Sequence, residues 1–132
     1  MSDIDIAMQF VDAISRQDVD GIYELMSTDH IFIDGMGNTV RGRETMKTGW
    51  ISYFKMVPDY KIEVEEVFGS GHIVVLLGKA SGTYSLDGNL KTGNHWEVPA
   101  AWRAEVAGDK IRQWQVYADN EPIRQIIRRE NE

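Results

Sequence analysis

The chain has 132 residues, 42% of them hydrophobic and 27% charged, which predicts one soluble domain, residues 1–132, around a single core. Its formal net charge of −7 gives no general attraction for a nucleic-acid backbone, and its lack of cysteine excludes disulfides and thiolate metal sites and fits a reducing cytoplasm. No apolar run approaches the roughly 20 residues that a bilayer span needs, and the acidic opening MSDIDIAMQF lacks the basic start of a secretory signal.

Residues 3–16 carry Ile4, Ile6, Ala7, Phe10, Val11 and Ile14 at helical spacing, with Ser2 or Asp3 as the cap. A second short helix follows, with Ile22, Tyr23, Leu25 and Met26 apolar. Ser27-Thr28-Asp29 then leads into a strand over 30–34, in which His30, Phe32 and Asp34 share one face. Gly35 and Gly37 break that strand, and Thr39–Arg41 is a short return. A third helix is predicted over 43–56, because Met46, Trp50, Tyr53, Phe54 and Val57 recur at three- and four-residue intervals before Pro58 stops it.

From about 60 to 120 the pattern changes to long alternating strands. Tyr60, Ile62, Val64 and Glu66 alternate with Lys61, Glu63, Glu65 and Val67; Gly69-Ser70-Gly71 makes a turn; and a strand from His72 to Tyr84 has bend points at Gly78 and Gly82. In Gly93–Val106, Trp96, Val98, Ala100, Trp102 and Ala104 share one face, and His95, Glu97, Ala101, Arg103 and Glu105 the other. A strand at Lys110–Asp119 follows the Ala107-Gly108-Asp109 turn, and Glu121-Pro122 opens a closing helix. Helices segregated from a meander of strands predict an α+β fold. Long strands with internal glycines predict a sheet curved into a cone around the helices.

The chemistry-bearing residues are few. Asp34 ends a strand between Phe32 and Met36, a setting that predicts a general base of raised pKa. The same position also reads as an Asp closing a turn through its own backbone. Asp119, at the end of the last strand, is a second candidate base or a cap for the helix after it. Trp50 and Tyr53 on the third helix would meet Trp96 and Trp102 inside the cone, as walls of a pocket or as plain core. The histidines His30, His72 and His95 lie on three different strands, so no metal site is expected; there is also no nucleophile elbow and no phosphate loop.

Several motifs resemble the nuclear transport factor 2-like superfamily, nearest its SnoaL-like and ketosteroid isomerase-like branches. They are D-G-I-Y-E-L at 20–25, the strand-to-turn D-x-x-G at Asp34–Gly37, R-G at Arg41–Gly42, and G-D-K-I at 108–111 before W-Q-V-Y-A-D at 114–119. The resemblance covers nearly the whole chain and implies a cystatin-like α+β barrel. It puts Asp34 where the isomerases carry their base in a D-P-x-G turn, with Gly35 for the Pro. It puts Phe10 and Ala100 where they carry a Tyr and an Asp as oxyanion donors, so steroid isomerisation by that route is not expected. It puts Asp119 at the base of the SnoaL-like cyclases, and S-G-T-Y at Ser81–Tyr84 where they have G-T-H. The two alignments disagree in phase: the isomerase match turns Trp114, Val116 and Ala118 into the pocket rather than Asp119.

The resulting expectation is a pocket protein for a small apolar or polycyclic carbonyl compound, needing no cofactor, with Asp34, Asp119 or both moving a proton in an isomerase, cyclase or dehydratase type of reaction. Phe10, Trp50, Tyr53, Trp96, Ala100, Trp102 and Tyr117 are the expected substrate-binding residues, with Tyr53, Tyr117 or His95 as polar partner. The alternative is a non-catalytic module of the same fold that binds a small molecule or a protein. The resemblance also implies a homodimer, for which the mixed polar face of His95, Glu97, Ala101 and Arg103 is suited.

Overall fold

The computed structural model describes all residues, 1–132. The first helix, α1 (Asp3–Ser15), opens with a capping box: the Ser2 hydroxyl accepts from the Asp5 amide, and the Asp5 carboxylate accepts from the Ser2 amide. A short α2 (Val19–Leu25) is capped by Asp18. It runs directly into β1 (Met26–Ile33), so the strand starts at Met26 rather than at His30 as its alternation predicted. β2 (Thr39–Arg41) returns antiparallel to β1, and α3 (Arg43–Met56) follows. Then come β3 (Lys61–Ser70), β4 (Ile73–Thr83), β5 (His95–Ala107) and β6 (Lys110–Ala118), closed by α4 (Glu121–Glu130).

The strands form one six-stranded sheet in the order β2-β1-β6-β5-β4-β3. All neighbours are antiparallel except β1 and β6, which run parallel. That pairing carries the last strand back beside the first, and it brings the C-terminal ends of β1 and β6 to the same rim. The fold is α+β: a curved, cone-shaped sheet wrapped around helices, as the alternation predicted. No helix is long and apolar enough to cross a membrane.

Two glycines let the sheet bend. A Cβ on Gly78 would stand 1.9 Å from the Glu63 carbonyl oxygen, beside the point where the β3–β4 register slips between Val64 and Glu66. The slip inserts one residue in β3 and reverses its phase, so Val67 joins Ile62 and Val64 on the core side. A Cβ on Gly82 would meet Val57 at 2.3 Å, so the missing side chain lets the end of α3 seat against β4.

The narrow end of the cone is solid. Phe10, Ile14 and Ile6 of α1 pack there against Leu76, Trp102 and Ile111 of the sheet, all at most 2% exposed. Phe10 meets Trp114 edge-on at 4.9 Å, and Trp102 stacks on Trp114 at 6.5 Å. His30 is fully buried in this layer; its Nδ1 bonds the Ile111 carbonyl at 2.7 Å and its Nε2 has no partner. Burial therefore pushes the His30 pKa down.

Candidate functional site

The wide end of the cone is hollow. A cavity of about 340 Å³ lies between α3 and the inner face of the sheet, within the size range of small-molecule sites. Of its 16 lining residues 12 are hydrophobic, and none is Lys, Arg or His, so whatever enters leaves water for a nearly apolar wall. The α3 side gives Met46, Trp50 and Tyr53; Tyr60 precedes β3; β4 and β5 give Ala80, Trp96 and Val98; β6 gives Trp114, Val116 and Ala118; β1 and β2 give Phe32 and Val40. A second hollow of about 250 Å³ adjoins it under α4, adding Met36, Met56, Ile123, Arg124 and Ile127 and sharing Asp34, Gly35, Tyr53 and Asn120 with the first.

Three residues with polar side chains line both hollows where they adjoin: Asp34, Asn120 and Tyr53. The parallel pairing of β1 and β6 explains the first two, because both residues follow the C-terminal ends of those strands. A Cβ on Gly35 would lie 3.3 Å from both the Ala118 carbonyl and the Asn120 side-chain amide, so glycine lets the turn close on the end of β6.

Asp34 is more tightly held than its sequence setting predicted. Its Oδ1 accepts from the Met36 amide at 2.9 Å and the Asn38 amide at 3.0 Å, and Oδ2 accepts from the Asn38 side chain at 3.2 Å. Burial is the largest single influence and pushes the pKa up, but the donors of Met36, Asn38 and Gly37 together hold the carboxyl below its ordinary value. The predicted rise fails for two reasons. Met36 is 77% exposed and gives no apolar cover, and the D-G-M-G-N turn supplies donors instead. One lone-pair direction on Oδ2 remains unused.

The structure gathers Asp34, Trp50, Tyr53 and Trp96 on the cavity and leaves the other expected site residues elsewhere. Phe10 and Trp102 belong to the solid core, screened from the cavity by Trp114. Ala100 is buried on the inner face of β5 but lies outside the cavity lining. Tyr117 and Asp119 are exposed and point outward, because the β5–β6 register runs unbroken from Ala100↔Ala118 to Glu105↔Gln113. The phase is therefore the one that turns Trp114, Val116 and Ala118 inward. Asp119 Oδ1 accepts from the Glu121 amide at 3.0 Å, an Asx turn one residue before Asn120, the N-cap of α4, which itself makes no side-chain cap bond. His95 also lies outside; its Nδ1 meets the Thr83 hydroxyl at 3.1 Å, and that hydroxyl donates to Asp59 at 2.7 Å.

Two cavity residues that carry polar groups, Tyr60 and Asn120, were not among the expected site residues. Tyr60 alternates with the inward Ile62 and Val64, a signal that was available. Asn120 carried none, since it follows the end of a strand whose phase was open. The hydroxyls of Tyr53 and Tyr60 make no hydrogen bond within the chain, for of the five tyrosines only Tyr23 and Tyr84 do so. Burial raises the pKa of both, and the neighbouring Tyr53 raises Tyr60 further. The indole N–H groups of Trp50 and Trp96 are also without partners, but they are sealed in the wall.

A model for the SnoaL-like domain matches residues 7–114 of this chain. Among curated proteins no sequence matches it. Among solved structures, a candidate SnoaL-like polyketide cyclase from Shewanella denitrificans is similar with a TM-score of 0.82 at 12% identity, covering 96% of this chain and 97% of that one. IdmH, a candidate polyketide cyclase from Streptomyces antibioticus, gives 0.79 at 21% identity over 96% and 99% of the two chains. AclR, a candidate hydroxylase from Streptomyces galilaeus, gives 0.75 at 19% identity over 98% and 96%. At such identities the likeness carries the fold, and the same fold hosts more than one chemistry. The matched domain spans most of the chain, and the chain belongs to the SnoaL-like domain family.

Proposed function

We propose that this protein binds a small apolar or polycyclic carbonyl compound in its cavity and moves a proton on it with Asp34, in a cofactor-independent reaction of the isomerase, cyclase or dehydratase type. The observation that carries the reading is the cavity itself: an aromatic hollow of about 340 Å³ whose only ionisable carboxylate is Asp34 and whose rim offers the Tyr53 hydroxyl. Apolar walls favour a ring system, and a hydroxyl favours an oxygen on it. The proton would leave a carbon beside the carbonyl, its electrons moving onto the carbonyl oxygen, and go to the open lone pair of Asp34 Oδ2. A carboxylate held ionised at neutral pH is ready to accept, but it is a weak base, so only a C–H already acidified by its carbonyl is within its reach.

The test is hydrogen exchange. With 1-tetralone in deuterated buffer, the protein accelerates exchange of the protons beside the carbonyl, read by NMR, and Asp34→Asn removes on the order of 10²-fold or more of that acceleration. A second reading, binding without turnover, is favoured by the three hydrogen bonds that lower the basicity of Asp34. It predicts saturable tetralone binding with no exchange above the buffer rate. We also propose a homodimer through the outer face of the sheet, where Tyr117 is 52% exposed beside Ala101 and Arg103. Sedimentation at micromolar concentration would show a dimer; a monomer would remove the proposal.

A further inference from the structure

The tyrosine pair gives the cavity a chemical preference. Tyr60 and Tyr53 meet edge to face, with ring centroids 5.0 Å apart, and both line the main cavity. Neither hydroxyl has a partner in the chain, and both stay protonated through neutral pH because burial raises their pKa. If one hydroxyl donates to the other, one O–H is still left over to face the mostly apolar cavity. Unlike the indole N–H groups of Trp50 and Trp96, neither hydroxyl is sealed in the wall, so both are open to a molecule that enters the cavity, and a ligand oxygen can accept from them without displacing a protein partner. Tyr53 sits on α3 and Tyr60 just before β3, whereas Asp34 follows β1.

We infer that Tyr53 and Tyr60 form a two-hydroxyl receptor for the oxygen of an aromatic ketone, held with its ring system against Trp96 and Trp114. This inference rests on the reading of the cavity as a site for apolar carbonyl compounds. It adds a specificity: the oxygen, rather than the ring, decides which ligand is kept. It also gives a reason for the pair to be unbonded within the protein. A site whose polar groups are completed only by the ligand rejects an analogue that lacks the matching atom.

The experiment compares 1-tetralone with tetralin, the same two rings without the oxygen. Binding of each is followed by tryptophan fluorescence to the wild-type protein and to Tyr53→Phe, Tyr60→Phe and the double variant. The wild type binds the ketone at least about tenfold tighter than the hydrocarbon, since one or two neutral hydrogen bonds are gained. Each single variant lowers ketone affinity about threefold to tenfold and leaves tetralin unchanged or tighter. The infrared carbonyl stretch of bound tetralone lies below its value in hexane in the wild type and returns toward it in the double variant. The melting temperature of each variant stays at or above that of the wild type, because no protein hydrogen bond is removed.

Equal binding of ketone and hydrocarbon by the wild type overturns the inference, and so does a ketone preference that survives in the double variant. Tighter binding of tetramethylammonium than of tetralone overturns it as well, for that would make the rings a cation box. Binding of neither tetralone nor tetralin overturns the reading of the cavity itself, a different result from loss of the preference alone.

Discussion

Replacing Asp34 by Asn separates a carboxylate that holds a turn from one that is strained for chemistry. In the folded chain Oδ1 accepts two backbone amides, at 2.9 Å from Met36 and 3.0 Å from Asn38. Asn keeps an oxygen there but loses the charge, which is worth about 1 kcal/mol per hydrogen bond. The new side-chain amide also faces the Asn38 amide, donor against donor, although Asn38 is exposed and can turn away. A partly exposed site discounts the sum, so the expected loss is about 1–2 kcal/mol. For 132 residues the entropy of unfolding is about 0.28 kcal/mol/K, and the melting temperature falls by about 4–7 °C.

The pH dependence fixes the sign. The pKa of Asp34 is lowered on folding, so its contribution is full above the unfolded value of about 3.9 and is lost as pH falls through the folded value. Calorimetry at pH 7 should show the variant below the wild type, and scans taken down through pH 4 to 3 should show the gap closing. A variant more stable than the wild type at pH 7 would refute the reasoning. It would mean that the carboxylate is held at a cost to the fold, as groups poised for catalysis often are.

Three further outcomes follow from the same geometry. His30 is buried neutral with its pKa pushed down, so the unfolded chain binds the extra proton and stability drops as pH falls below about 6.5; His30→Leu flattens that part of the melting profile, at the expense of the Ile111 bond. Gly78→Ala forces a Cβ against the Glu63 carbonyl and lowers the urea midpoint by the equivalent of about 1–3 kcal/mol or more, while Gly93→Ala, with open space around it, stays within about 0.5 kcal/mol of the wild type. Asp119→Ala removes the exposed Asx-turn bond to the Glu121 amide, costs about 0.5–1 kcal/mol in a thermal melt and leaves tetralone affinity unchanged; a loss of affinity there would contradict the outward phase of β6.

Much of the fold was legible because its elements are locally consistent. Trp96, Val98, Ala100, Trp102 and Ala104 alternate without a break, and all are buried. The third helix and the short return strand have the bounds their patterns predicted. The parallel pairing of β1 with β6 was not legible, since two strands some 80 residues apart leave no local signal of being neighbours. That one pairing brings Asp34 and Asn120 to the same rim. The phase of β6 was equally hidden: Tyr117 and Asp119 make as good a face as Trp114, Val116 and Ala118 until the register with β5 is known. For Asp34 the signal was present but divided. Apolar neighbours in sequence suggested a raised pKa, whereas the turn chemistry of Gly35, Gly37 and Asn38 pointed to a bonded carboxylate, and the geometry follows the turn.

The cavity also explains why the aromatic content is divided as it is. Trp102 and Trp114 stack at the boundary of the solid core, with Phe10 behind them. Trp50, Tyr53, Tyr60 and Trp96 continue the array around the hollow, each ring meeting the next at 5.0–6.3 Å. The first group gives stability: removing a ring such as Trp102 costs about 3–5 kcal/mol. The second encloses space that the protein itself does not fill, and that space is where a ligand would act.

The most direct test of this account is a crystal structure of the protein with 1-tetralone. The account predicts the ketone in the cavity, its oxygen within hydrogen-bonding distance of the Tyr53 and Tyr60 hydroxyls and the carbon beside its carbonyl turned toward Asp34 Oδ2. An empty cavity at saturating ketone, or a ketone bound on the outer face of the sheet, would contradict it.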